Sequence, residues 1–80
     1  MLELNYTDQG RRPSAQQVVS DWKKGGCPDE FTAEYGETFA HFEYRNGWGG
    51  HGEWMADGNG CRGLKRDTIV TLLNKAAGHS

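Results

Sequence analysis

A shortage of aliphatic residues limits what this chain can fold into. Only 12 of its 80 residues are Leu, Ile, Val or Phe, which is fewer than a well-filled core requires. Nine aromatic residues and a net charge of only −2 nevertheless distinguish the chain from disordered sequences, which have few aromatics and high net charge. We therefore expect residues 1–80 to form one small domain with a thin core, a type that often gains stability from a metal, a disulfide or a partner subunit.

Periodic patterns predict two helices. Apolar residues recur at helical spacing after Ser14, which is a good N-cap with Gln17 at the capping-box position, and Gly25-Gly26 provides a stop. The same spacing returns from Leu64 and predicts a second helix that ends at Gly78. Alternating apolar and polar residues predict strands at 2–6, 31–35, 38–45 and through Trp54. The order β-α-β-β-β-α predicts an α+β fold, with an antiparallel β-meander covered on one face by two helices.

The connection between the last two strands determines which side chains share a face. Asn46-Gly47 is a strong signal for a two-residue turn, but that turn would mix apolar with charged positions. A loop of three or five residues keeps even positions opposite even ones. It gives an apolar face of Ala40, Phe42, Tyr44, Trp54 and Ala56, and a polar face of His41, Glu43, Arg45, His51 and Glu53. After the last strand, residues 57–60 have the composition of a turn.

A repeated His-x-Glu pattern provides one potential metal site. His41, Glu43, His51 and Glu53 lie on the predicted polar face, and their imidazole and carboxylate groups suit a divalent ion such as Zn²⁺. With a three-residue loop, the same residues would instead form ordinary cross-strand pairs, His41 with Glu53 and Glu43 with His51. We favour the pairs and expect no bound cofactor, with Zn²⁺ as the alternative.

Cys27 and Cys61 flank the meander and could add two metal ligands. A structural zinc site needs four ligands, however, and no Cys-x-x-Cys spacing is present. Cysteine is among the most commonly buried residue types, so we expect both to be small core residues with reduced thiols.

The glycine-rich segment before the second helix has two interpretations. Residues 58–63 match the spacing Gly-x-Gly-x-x-Gly, but no second half of a dinucleotide-binding unit follows. Arg62, Lys65 and Arg66 could instead contact an anion there. The α-β-β-β-α order from residue 14 to 77 is also similar in outline to double-stranded-RNA-binding domains, which use basic residues at the start of the last helix. The acidic net charge of this chain argues against nucleic acid as the partner.

Trp48 is the most distinctive residue for recognition. It lies among glycines in residues 46–50, where it would either cover the core or be exposed as a binding anchor beside Tyr44 and Arg45. An acidic rim formed by Asp29, Glu30, Glu34 and Glu37 could attract a basic partner.

Other features exclude several functional classes. No apolar run approaches the roughly 20 residues of a membrane span, and residues 1–8 lack the pattern of a secretory signal, so we expect a cytoplasmic protein. No spacing indicates a catalytic Cys-His or Ser-His-Asp arrangement. We expect a non-enzymatic protein that binds another protein or a second copy of itself. Phage and mobile elements encode small acidic chains of this type as inhibitors of host machinery, anti-CRISPR proteins among them.

Overall fold

The computed structural model describes residues 1–46, 52–59 and 64–76, and it confirms the predicted α+β fold and the predicted order of elements. Both helices pack on one face of a four-stranded sheet. The elements are β1 (Leu2–Asn5), a 3₁₀ helix (Thr7–Gln9), α1 (Ala15–Lys24), β2 (Glu30–Tyr35), β3 (Thr38–Asn46), β4 (Gly52–Asn59) and α2 (Arg66–Ala76).

The sheet is mixed rather than wholly antiparallel. Its strands follow the chain order β1-β2-β3-β4, and β2, β3 and β4 form the predicted antiparallel meander. The first strand pairs parallel to β2, with Leu2 opposite Phe31. Because α1 carries the chain back along the sheet between these two strands, the second strand starts at the same end as the first. The predicted antiparallel meander is thus confirmed, and the parallel pairing of β1 with β2 is an addition that the sequence pattern did not predict.

The register between β3 and β4 confirms that even positions lie opposite even ones. Arg45 pairs with Glu53 and Asn46 with Gly52, so the connection contains five residues, 47–51. The turn composition of residues 57–60 was misleading, because β4 continues through Asn59 and Gly58 pairs with Ala40.

The predicted N-cap and glycine stop of α1 are confirmed, but the predicted capping box is incomplete. The Ser14 hydroxyl accepts a hydrogen bond from the Gln17 amide at 3.1 Å, whereas the Gln17 side chain donates to Gln9. At the other end, Gly26 has φ +96°, and the Cys27 amide donates to the Trp22 carbonyl at 3.2 Å. This last bond belongs to a Schellman motif, which ends the helix.

Aromatic side chains supply five of the thirteen buried core residues among those described. Trp22 of α1 contacts Trp54 edge to face with ring centroids 5.5 Å apart, and Phe31 stacks on Phe42 at 4.8 Å. The second helix adds Ile69 and Leu73, both buried. Leu64 is also buried but precedes α2, and the predicted end at Gly78 lies outside the described residues.

Within the described ranges, neither helix is long and apolar enough to cross a bilayer.

A hydrogen bond connects the segment after β1 to α1. The buried Tyr6 hydroxyl donates to Asp21 Oδ2 at 2.7 Å, and burial together with this carboxylate raises the pKa of Tyr6. The Tyr6 amide also donates a hydrogen bond to the Glu34 carbonyl. Tyr6 therefore connects the first and second strands to the helix layer.

Replacement of Tyr6 by phenylalanine is expected to lower the free energy of unfolding by about 1.5 kcal/mol, because the bond to a charged acceptor is lost. Because the pKa of Tyr6 is raised in the folded state, the protonated hydroxyl stabilises the fold fully below about pH 10, and this contribution falls as the pH rises further. Phenylalanine has no hydroxyl to titrate, so the variant should lose less stability between pH 7 and about pH 11 than the wild type does. Urea unfolding at pH 7 and at about pH 11 measures both effects. Equal stability of the two proteins at pH 7 would contradict the assigned role.

Candidate functional site

The helices cover one face of the sheet and leave the other uncovered, which we call the open face. Successive side chains of a strand point to opposite faces, so the strand registers define the members of this face. Among the described residues they are Glu3, Asn5, Glu30, Thr32, Glu34, Phe39, His41, Glu43, Arg45, Glu53, Met55 and Asp57.

Negative charge dominates the open face. Six of the residues just named are carboxylates, and Arg45 is the one lysine or arginine among them. All six side chains are exposed or half-buried. The other basic residues of the described ranges belong to the two helices and to the segments before them, namely Arg11, Arg12, Lys23, Lys24, Lys65, Arg66 and Lys75.

Two large apolar side chains interrupt this acidic surface. Phe39 on β3 is 42% exposed and Met55 on β4 is 46% exposed. A concavity of about 240 Å³ lies between β3 and β4 and is lined in part by Met55, His41 and Asp57. The His41–Asp57 pair lies between Phe39 and Met55, so the two apolar side chains are separate contact points within a polar surface. Such side chains add affinity when another macromolecule covers them.

The most closely packed polar group on the open face consists of Glu30, His41 and Glu43. Glu30 lies directly opposite Glu43 across β2 and β3, and His41 Nε2 is 2.7 Å from Glu30 Oε2. Arg45 Nη2 is 3.2 Å from Glu43 Oε2. A potential ligand atom from each of Glu30, His41 and Glu43 lies within 4.8 Å of the other two.

The structure brings together only part of the metal-ligand set suggested by the sequence. His41 and Glu43 are close, but the five-residue loop places Glu53 opposite Arg45 and places Asp57 opposite His41. The expected pairing of His41 with Glu53 is therefore wrong, because it requires a three-residue loop. The predicted partner of Glu43, His51, lies outside the described residues.

Of the two cysteines, the structure describes Cys27. It is exposed, with φ +54°, directly after the end of α1, so the expectation of a small core residue is wrong at this position. Cys27 donates its amide to the last turn of α1 and lies in the turn between the helix and β2, outside the packed elements. Cys61 lies outside the described residues.

The predicted binding residues are distributed over several parts of the molecule. Tyr44 is half-buried on the helix-covered face, where its ring contacts Trp54 at 5.9 Å, whereas the neighbouring Arg45 is on the open face. Trp48 and Arg62 lie outside the described residues, as does most of the glycine motif at 58–63.

Lys65 and Arg66 mark the start of α2. Lys65 is exposed, and Arg66 Nη1 donates to the Gly58 carbonyl at 3.0 Å. Lys65 and Arg12 line a cleft between the N-terminal ends of the two helices, while Lys23 and Lys75 line a groove between the C-terminal ends.

Sequence reasoning assigned Glu30 to an acidic rim and missed its contact with His41. The Gly36-Glu37 turn could have predicted this contact. A two-residue turn pairs Tyr35 with Thr38, and this register places Glu30 opposite Glu43 and therefore near His41. Gly36 has φ +60°, as the first turn residue of a type II′ hairpin requires.

Comparisons of the chain with protein-family models, with curated proteins and with solved structures find no match.

Proposed function

We propose that this is a small non-enzymatic binding protein whose open face contacts a basic surface of another protein. The observation that supports the proposal is the composition of this face, with six carboxylates around the exposed Phe39 and Met55. Acidic groups steer a basic partner and fix its orientation, while exclusion of water from apolar groups supplies affinity.

Charge complementarity favours a different protein over a second copy. In a two-fold symmetric dimer the same face would meet itself, so carboxylates such as Glu34 and Asp57 would approach those of the partner molecule. Like charges at an interface oppose association.

The partner that best complements this surface is a nucleic-acid-binding protein, because such proteins present clustered Lys and Arg side chains for phosphate groups. A small acidic protein bound there would block the nucleic acid. This is the activity expected of a phage- or mobile-element-encoded inhibitor of host machinery, acting in the cytoplasm, and we propose that role for the chain.

Nucleic acid is a less suitable partner for the chain itself. The exposed carboxylates of the open face repel phosphate, and Arg66 is already engaged with a backbone carbonyl. Formation of a salt-sensitive complex with double-stranded RNA in gel-shift experiments would support that alternative.

The test compares two variants with equal numbers of neutralised charges. The open-face variant is Glu34→Gln/Glu53→Gln/Asp57→Asn, and the control is Lys23→Gln/Lys24→Gln/Lys75→Gln on the helix layer. A partner captured by the wild type from a lysate of the source organism is identified and purified, and its affinity for each variant is measured by calorimetry at low and moderate salt. Unrelated basic lysozyme serves as the control for charge alone.

We expect the open-face variant to bind the purified partner about tenfold or more weakly, and the control variant to change affinity by about threefold or less. The difference in affinity between the two variants should decrease as salt is added, since screening weakens the interactions of exposed charges. Equal losses in the two variants, equally tight binding of lysozyme, or no partner above background would contradict the proposal.

A further inference from the structure

The group formed by Glu30, His41 and Glu43 has an electrostatic conflict that a cation would remove. Two carboxylates lie directly opposite each other on neighbouring strands, an arrangement that is unfavourable for like charges. Glu30 and Glu43 together contribute two formal negative charges. Arg45 contacts Glu43 but is itself largely exposed, so it compensates only part of this charge in a well-solvated position.

We propose that Glu30, His41 and Glu43 bind one divalent transition-metal ion of the Zn²⁺ class. An imidazole nitrogen combined with two carboxylate oxygens suits Zn²⁺, whereas Mg²⁺ and Ca²⁺ prefer oxygen ligands alone. This site differs from the one suggested by the sequence, because the neighbouring strand supplies Glu30 in place of Glu53 and His51.

The distances require only small side-chain movements. Ligands about 2.1 Å from a tetrahedral ion lie about 3.4 Å from each other. His41 Nε2 and Glu30 Oε2, now 2.7 Å apart, must separate slightly. The other spacings are no wider than 4.8 Å, so they must close by at most about 1.4 Å. The side chains of His41 and Glu30 are 29% and 45% exposed, so solvent leaves them room to adjust.

Three protein ligands would leave part of the coordination sphere open. The concavity beside His41 and Glu43, lined also by Asp57, provides space for water molecules or for a side chain of a partner on the open side. The metal site does not depend on the proposed protein-binding function, and either proposal can fail without the other.

The test uses the full chain, and Zn²⁺ itself is the probe. Glu30→Gln, His41→Gln and Glu43→Gln remove one ligand each at nearly constant size. Glu34→Gln is the matched control, because Glu34 lies on the same strand and face and accepts a hydrogen bond from Asn5 at 3.0 Å. His79→Gln and Cys27→Ser control for binding by one other imidazole and by one thiol of the chain. Circular dichroism confirms that each variant is folded.

We expect wild-type protein to bind one equivalent of Zn²⁺ by calorimetry and to melt at a higher temperature with Zn²⁺ than with a chelator. Each ligand variant should bind about tenfold or more weakly, while the three control variants should remain within about threefold of wild type. Unchanged affinity in the ligand variants, loss of binding only in Cys27→Ser or His79→Gln, or an equal loss in Glu34→Gln would overturn the proposal.

Discussion

Replacement of Trp22 by alanine is expected to lower the free energy of unfolding by about 3 to 5 kcal/mol. Trp22 is 6% exposed, and its ring contacts both Phe31 and Trp54, so truncation opens a cavity where the helix layer meets the sheet. Its indole Nε1 also donates to the Pro28 carbonyl at 2.6 Å, and this acceptor would lose its partner. A domain of this size has a total stability of about 4 to 12 kcal/mol. The variant should therefore lose a large fraction of its stability.

Urea unfolding followed by far-UV circular dichroism measures this loss without relying on tryptophan fluorescence. Trp22→Phe retains much of the ring contact and separates packing from the hydrogen bond, so it should lose less stability than the alanine variant. Phe39→Ala is the matched truncation on the open face, where we expect a loss of no more than about 1 kcal/mol. Similar losses for Trp22→Ala and Phe39→Ala would show that the core is not where the structure places it.

Replacement of Gly58 by alanine is expected to cost about 3 kcal/mol or more, although the residue is exposed. Gly58 has φ +147°, a conformation that residues with a side chain rarely adopt. An added Cβ would also meet the Phe39 carbonyl oxygen and lie 2.8 Å from the Ala40 Cα. Both neighbours are backbone atoms, so β3 and β4 would have to separate at this point.

Gly36→Ala provides the control for this effect. Gly36 also has a positive φ, +60°, but a Cβ there would have no atom within 4 Å. We expect a loss of about 1 to 2 kcal/mol from backbone strain alone. Thermal unfolding of both variants measures the difference between their stability losses. This difference is the contribution of the close approach of β3 and β4. If Gly58→Ala lost no more stability than Gly36→Ala, β4 would not be paired with β3 at this position.

Much of this fold could be predicted because the relevant signals are local. The Ser14 cap and the glycines after α1 act on adjacent backbone groups. The faces of β3 and β4 could also be predicted, since Phe42 and Trp54 must both reach the core, and a single-residue shift would expose one of them.

Two features that the sequence analysis did not predict correctly depend on contacts between distant parts of the chain. The alternation of Leu2 and Leu4 with polar residues is the same in a parallel and in an antiparallel strand. The pattern therefore does not predict that β1 pairs parallel to β2. Gly58 lies in a segment whose composition is typical of a turn. The structure shows instead that a glycine fits here because the backbone of Ala40 approaches closely.

The candidate site was only partly predictable for the same reason. The contact of Glu30 with His41 depends on the β2–β3 register, whereas reasoning from the His-x-Glu repeat considered only β3 and β4.

The acidic open face and the helices, which carry more basic than acidic residues, give the molecule an uneven charge distribution despite a net charge of −2. Carboxylates such as Glu34 and Asp57 lie on one side of the sheet, and lysines such as Lys23 and Lys75 belong to the helices on the other. The protein therefore has an electric dipole moment directed across its thickness. Near a highly charged body it experiences a torque that turns it before contact, so collisions are biased towards one orientation.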